Sequence, residues 1–438
     1  MNISVIGLGK LGLCTAACFA SAGHHVYGYD LSDHFRNELK ARRNTIDETG
    51  LSELLAFAWD KLHIVDSYDA AVQASDATLI IVPTPSLPDG RFNNEFLLRV
   101  LEGLAPSIKT KSAFHVVDVV STVMPGSCET VFKPLLELTT GKTCGTDFGL
   151  VYNPEFIALG SVIRNFLNPD MVLIGASDSR SGEIIRNLYA STCKTQPIMA
   201  VMSLINAEVT KISLNCYVTM KISYANSLTA ICEKVPGADV DVITSAIGAD
   251  TRVGSKCLRG GLGFGGPCFP RDNIAFQAFA EEFGCEALLG KAVVEVNNSI
   301  PRRIFDMIAT HCNPPAKIAL VGLSYKAETH IIEESHSLIL AGELLAFGYR
   351  VALHDPKALE AARQMLGDRA ELYSDVYGCT AGASAVVLLT DWPEYHHLGW
   401  QRIAAHAADH AIVIDSWRIS RNTDLHGLVH IPLGIGKD

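Results

Sequence analysis

The sequence predicts an α/β protein, with two parallel-sheet domains joined by a helical segment built on one long helix. Three observations predict it. Short apolar runs of the kind that strands buried on both faces show ("NISVIG", "ATLIIVPTP", "KIALVG", "AIVIDSW") alternate with helical patterns in both halves of the chain. Between the halves, 203–233 contains no Gly or Pro and few charged residues, as expected of a helix buried on most sides. A chain of 438 residues also exceeds what one compact core holds, so two or three domains are expected.

Composition narrows the function. Hydrophobic residues at 48% and charged residues at 19% describe a globular chain. A net charge of −11 supplies no basic face for nucleic acid, although a few local Lys and Arg can still hold a small anionic ligand. The N-terminus lacks the basic start and cleavage site of a signal peptide, and no apolar stretch is long enough to span a bilayer without polar interruption, so no membrane partner is expected. The twelve cysteines contain no C-x-x-C pair, and His24–His25 and His396–His397 are adjacent rather than ligand-spaced, so no metal is expected. Reduced thiols in a cytoplasmic setting fit this cysteine usage.

The first strand, "NISVIG", runs directly into "GLGKLG". Gly7, Gly9 and Gly12 fit G-x-G-x-x-G, with Lys10 and Leu11 inside the turn, and the small-residue helix "LCTAACFASAG" follows. The next strand, "HVYGYD", ends in Asp30. A glycine triad alone is weak, but a triad between strand and helix, with an acid closing strand two, is the dinucleotide fingerprint. Gly7 permits the tight turn, Gly9 lets backbone approach a pyrophosphate, and Gly12 lets helix pack on strand. The helix N-terminus then faces the phosphates. Asp30 can accept from ribose hydroxyls and repels a 2′-phosphate, so NAD is expected over NADP, with Arg36 as the one nearby counter-signal. Cys14 and Cys18, one turn apart, read as small core residues. Pro83, Thr84, Ser121 and Thr122 follow the ends of two further strands, where ligands of open α/β sheets bind, although turn capping is the plainer use of such hydroxyls. "FGLVYNPEF" brings Asn153 and Glu155 to the same edge.

In the long helix Lys211 and Asn215 are four apart and share a face. Lys211 reads either as a snorkelling lysine or as a working one. The loop "GLGFGGPCFPRD" sets Cys268 before a helical pattern, with Asp272 as candidate N-cap. A helix N-terminus and the adjacent Arg271 both favour a thiolate there. After "HCNPPA" a second strand–helix–strand unit begins and ends on Asp355, without G-x-G-x-x-G, so a nucleotide fits it better than a second dinucleotide.

With these stretches in place the chain resembles the UDP-glucose/GDP-mannose dehydrogenase family over nearly its whole length. The ordered matches are "GLGKLG", "VPTP", "STV", "NPEF" with "NPDMVLIG", "NAEVTKISLN", "FGGPCFPRD" and "GLSYKAETHIIEES". The resemblance implies three domains: a Rossmann-like NAD-binding domain over 1–200, a central helical dimerisation and catalytic-loop domain over 201–312, and a Rossmann-like nucleotide-sugar domain over 313–438. It implies two NAD-dependent oxidations of a sugar nucleotide at C6, giving a uronic acid, with Cys268 as nucleophile. Lys211 and Asn215 would stabilise oxygen charge at C6. Asp272 and Lys211 would handle water and proton transfer, and Glu155 and Thr122 would position the hydrolytic water. Phe156, Ile157, Arg252, Arg259, Phe264, Gly265, Tyr325 and Lys326 would hold the substrate, Arg252 reaching that of a neighbouring subunit in a homodimer or larger assembly.

Four positions depart from the family pattern: Leu159 for an acid or amide, Arg271 for a Lys, Glu333 for an Arg that would contact NAD, and Trp417 for an Arg, with Arg418 one later. UDP-glucose is the first substrate reading, with GDP-mannose or a UDP-N-acetylhexosamine beside it. A two-electron hydroxyacid dehydrogenase would not need Cys268, and a non-catalytic nucleotide-sugar-binding regulator would not need Lys211 and Asn215 as well.

Overall fold

The computed structural model describes residues 1–157 and 159–436, and the chain divides into two compact units, Met1–Ser213 and Leu214–Asp438. The first unit is built on an eight-stranded sheet. Its strands are β1 (Asn2–Ile6), β2 (His25–Tyr29), β3 (Leu62–Ile64), β4 (Ala77–Ile80), β5 (His115–Val119), β6 (Phe148–Tyr152), β7 (Met171–Ala176) and β8 (Ile198–Met202). Their order is β3-β2-β1-β4-β5-β6-β7-β8, so the strand order reverses between β1 and β4, beside the Gly7 turn. Strands β4, β5 and β6 are buried along their whole length, which explains why they read as continuous apolar runs. One face packs on the helix Lys10–Ser21, where Cys14 and Cys18 are fully buried core residues, and on Phe166 and Tyr189. The other face carries Leu97, Leu101 and Phe132.

The expectation of a parallel sheet holds for β1 to β6 and fails at β7, which pairs antiparallel with β6. Among the described residues the connection carries the short helix Val162–Leu167, and an antiparallel neighbour needs no crossover back along the sheet.

The second unit takes the long helix, Leu204–Cys232, from Leu214 onward. Three further helices follow, Val240–Ala249, Phe269–Glu282 and Leu288–His311. The chain then forms a six-stranded, wholly parallel sheet from β9 (Lys317–Val321), β10 (Arg350–His354), β11 (Glu371–Leu372), β12 (Ala385–Leu388), β13 (Ile412–Asp415) and β14 (Val429–Pro432). The order, β11-β10-β9-β12-β13-β14, repeats the reversal of the first sheet. Among the described residues no helix is long and apolar enough to cross a membrane.

One core residue breaks the apolar rule. Asp118 lies in β5 opposite Leu79 and Val151, fully buried, and neither carboxyl oxygen has a hydrogen-bond partner among the described residues. Burial first, and the charge of Glu155 second, hold it well above the usual carboxylate range. The folded pKa of Asp118 therefore lies above its unfolded one. Folding takes up a proton, so stability falls as pH rises above the unfolded value of about 3.9. Relative to Asp118→Asn, the wild type is expected to lose about 1.4 kcal/mol per pH unit above that point, up to the folded pKa. Thermal melts of both proteins at about pH 4 and about pH 8 check it: the gap in Tm widens at the higher pH.

Candidate active site

Each unit carries its own cluster of the residues singled out from sequence. In the first, Gly7 has φ +90°, and a Cβ there would lie 2.2 Å from the Ile81 carbonyl oxygen. A Cβ on Gly12 would lie 1.8 Å from the Gly7 carbonyl oxygen, so strand and helix meet backbone to backbone. A Cβ on Gly9 meets nothing within 4 Å, which leaves the approach to the turn open. The helix Lys10–Ser21 has Gly9 at its N-cap, no capping side chain and no acid in its first turn, so its N-terminal N–H groups suit an anion. Lys10 and Leu11 are half-buried there.

Asp30 closes the turn by accepting from the Leu8 and Ser32 backbone N–H groups at 2.9 and 3.0 Å. It keeps acceptor capacity beyond these, and these residues fit a dinucleotide with a free ribose 2′-hydroxyl. Arg36 does not compete as a phosphate ligand: its guanidinium donates to Asp33 and, at 2.5 Å, to the Asp30 carbonyl oxygen. Thr84 Oγ1 donates to the Thr122 carbonyl oxygen at 2.7 Å, and Ser121 Oγ both accepts from Val82 N–H and donates to Val82 O. These hydroxyls therefore lock the turns after β4 and β5 to each other, beside the exposed Pro83.

Glu155 and Lys211 meet in the same unit. Lys211 Nζ donates to the Glu155 carbonyl oxygen at 2.5 Å and lies 4.4 Å from the Phe156 ring centroid. Lys211 is buried, which sets aside the snorkelling alternative. The Glu155 carboxylate accepts from the Tyr189 hydroxyl at 2.7 Å. Burial pushes its pKa up to about 7, against the lowering effects of Tyr189 and Lys211. Ile157 and Leu159 pack on the first core. One residue that sequence reasoning missed, Glu208, is fully buried one turn before Lys211 and accepts from the Gly126 and Cys128 N–H groups at 2.7 and 2.8 Å. Its signal was present: an acid three residues before a lysine on an apolar helix.

In the second unit Asn215 Nδ2 donates to Asp272 Oδ2 at 2.6 Å, and Asp272 is buried. Asp272 is not the N-cap expected from sequence. Cys268 holds that position, Pro270 falls within the first turn, and Asp272 N–H donates to the Cys268 carbonyl oxygen at 2.8 Å. Cys268 is exposed. Cys216, beside Asn215, is no rival nucleophile, since burial first and Asp272 second push its thiol up to about 12.

The glycine loop is pinned by two amides that sequence did not single out. Asn226 accepts from Gly261 N–H at 2.8 Å, and Asn297 accepts from Phe264 N–H at 2.8 Å and donates to its carbonyl oxygen at 3.0 Å. A Cβ on Gly265 would lie 2.4 Å from the Glu334 carbonyl oxygen, and one on Gly266 would run into the Tyr325 ring. Lys326 follows, half-buried. Arg259 donates to Asp391 at 2.7 Å and to the Trp417 carbonyl oxygen at 2.9 Å, with Trp417 stacked below it at 5.1 Å. Arg418 is buried and clasps Asp241 and the Gly260 carbonyl oxygen, so it braces the loop. Arg252 is exposed and paired with Asp250. Arg271 Nε lies 3.6 Å from Asp272 Oδ1, and Glu333 is exposed, its carbonyl oxygen accepting from Gly266 N–H. Among the described residues, no three His, Cys, Asp or Glu side chains converge as a metal site.

Models of the UDP-glucose/GDP-mannose dehydrogenase family match in three consecutive pieces: the NAD-binding domain over residues 1–193, the central domain over 205–299 and the UDP-binding domain over 319–422. A UDP-glucose 6-dehydrogenase of Haloferax volcanii is 34% identical over 423 residues, covering 96% of this chain and 97% of that protein. The chain belongs to this family. A second UDP-glucose 6-dehydrogenase, from Rhizobium meliloti, is 31% identical over 444 residues, 99% of each chain. A solved UDP-glucose dehydrogenase from the archaeon Pyrobaculum islandicum superimposes with a TM-score of 0.88 at 32% identity, covering 100% of this chain and 97% of that one. As a member of the UDP-glucose/GDP-mannose dehydrogenase family the protein is an NAD-dependent nucleotide-sugar dehydrogenase. The carboxylate after β10, Asp355, differs from Asp30 in how fully it is occupied. It accepts from Leu323 N–H, Ser324 N–H, Ser324 Oγ, Trp392 Nε1, Lys357 N–H and Ala358 N–H, which uses up its lone pairs. Asp30→Asn, which keeps shape and removes charge, is expected to raise the KM for NAD about tenfold. Initial rates with both cofactors check it, the preference for NAD over NADP narrowing in the variant.

Proposed function

We propose that this enzyme oxidises the C6 alcohol of UDP-glucose to the carboxylate of UDP-glucuronate, through a thioester on Cys268. The observation that carries this reading is an exposed cysteine at a helix N-terminus, where negative charge is favoured, at the end of a glycine loop held rigid by two buried amides. The match to a UDP-binding domain and the names of the relatives support UDP-glucose over GDP-mannose or a UDP-N-acetylhexosamine.

NAD, when bound, accepts a hydride in each oxidation. In the first, C6 loses its hydroxyl proton to the protein and becomes an aldehyde. Cys268 Sγ then adds to the aldehyde carbon, and the carbonyl electrons move to oxygen, where Lys211 and Asn215 stabilise the charge. The second oxidation leaves a thioester. Water, positioned by Thr122 and deprotonated by Glu155, adds to the thioester carbon; the carbon–sulfur bond breaks and the thiolate returns. Asp272 and Lys211 carry protons. The balance is one alcohol, two NAD and one water giving one carboxylate, two NADH and three protons.

The nucleotide sugar would be held by Phe156, Ile157, Arg259, Phe264, Gly265, Tyr325 and Lys326. The working form is a homodimer or larger, in the cytoplasm, with Arg252 completing a neighbour's site. Tyr217, Tyr224 and Ile231 support this, because they stand seven residues apart on the long helix and are more than half exposed. The functional division is 1–200 for NAD, 201–312 for assembly and the cysteine loop, and 313–438 for the nucleotide.

Two outcomes follow. Wild type yields two NADH per sugar nucleotide and a uronic acid, whereas Cys268→Ser retains NAD binding and loses acid production at least a hundredfold. One NADH per substrate in the wild type, with full activity in Cys268→Ser, would falsify the thioester route. Tyr217→Glu with Tyr224→Glu shifts the protein to a monomer in sedimentation at working concentration; an unchanged oligomer removes the long helix from the interface.

A further inference from the structure

We propose that Tyr189 is a positioning residue for thioester hydrolysis: its hydroxyl holds the Glu155 carboxylate in one orientation. The inference rests on the reading that Glu155 deprotonates the hydrolytic water. Tyr189 sits near the end of the helix Ser179–Ala190. Its ring is wedged against Phe19, at 5.4 Å and nearly perpendicular, and against Phe166 at 5.6 Å; those two rings meet at 5.1 Å. Three helices therefore fix one phenol, and the phenol oxygen lies 2.7 Å from Glu155 Oε1. Lys211 Nζ donates to the Glu155 main-chain oxygen at 2.5 Å.

A base held this way needs its ionised form stabilised as well as aimed. Burial pushes Glu155 up to about 7, and the Tyr189 hydrogen bond is the larger of the two effects that draw it back. The groups acting on this corner are Cys18 on the first helix, Asp118 on β5, Tyr189 and Cys193 around the helix Ser179–Ala190, and Lys211 on the long helix. Burial pushes both thiols and Asp118 upward, and the two effects that lower Glu155 are the Tyr189 hydrogen bond and the charge of Lys211. Removing the hydroxyl raises the Glu155 pKa, and the base is then ionised only at higher pH.

The test follows acid release from the Cys268 adduct by quenched-flow mass analysis between about pH 5.5 and about pH 9.5. Tyr189→Phe keeps the ring and its aromatic contacts. It is expected to move the acid limb of hydrolysis upward by about one pH unit, with KM for UDP-glucose unchanged. Site-specific 3-fluorotyrosine at position 189, a stronger donor, moves the limb the other way and decides the matter if the Phe variant fails to fold. Asp118→Asn leaves the limb in place. Glu155→Gln separates the two ideas. If it leaves hydrolysis intact, the reading of Glu155 as base is wrong; if it abolishes hydrolysis while both Tyr189 variants keep the wild-type limb, the positioning role is overturned.

Discussion

Backbone contact without side chains is the constraint on which both α/β units depend. At the first sheet the Gly12 Cα faces the Gly7 carbonyl so closely that even a methyl group would overlap it. The second sheet repeats the device at Gly322, whose φ is +101° and whose absent Cβ would lie 2.5 Å from Thr390 N. In each case a carboxylate at the end of the neighbouring strand ties the turn down, Asp30 through Leu8 N–H and Asp355 through Leu323 N–H. In the first sheet the helix Lys10–Ser21 then starts directly over the sheet edge, where ligand phosphates can reach backbone donors, whereas after β9 the next helix begins only at His336.

Between these turns and the chemistry stands a set of buried polar side chains that bond to backbone. Glu208 ties the start of the long helix to the loop after β5, while Asn226 and Asn297 tie the glycine loop to helices. A loop with five glycines between 260 and 266 would otherwise be the least ordered part of the molecule, because glycine loses more freedom on folding than any other residue. The amides supply the rigidity that the glycines remove, and the glycines supply the space in which neighbouring backbone and Tyr325 pack. Cys268 inherits its position from both.

Much of this was legible in the sequence. The alternation of apolar runs with helical patterns located both sheets, and the uninterrupted segment before Pro236 located the long helix to within a residue at each end. The glycine triad with Asp30 located the turn between β1 and the first helix because its residues are local and each type has one physical use. What the sequence did not reveal has a common character. The reversal of β7 depends on a connection that stays at one sheet edge, which periodicity does not encode. Asp272 was read as a cap because Asp favours that position, yet its carboxylate faces Asn215, 57 residues away in sequence. Asn226, Asn297 and Tyr189 act across similar gaps, and nothing in their own neighbourhood distinguishes them from ordinary helix residues. The family resemblance supplied roles for Lys211 and Cys268, but it carried no information on the partners that hold them.

The saturation of Asp355 also bears on how the two sheets could be interchanged. Grafting a glycine fingerprint onto the turn after β9 would restore room for a pyrophosphate and still leave no acceptor for a ribose, since Ser324 and Trp392 already occupy the carboxylate. An engineered second dinucleotide site would have to begin by stripping those donors away. Asp30, by contrast, holds two backbone donors and keeps room for more, so the first sheet needs no such preparation.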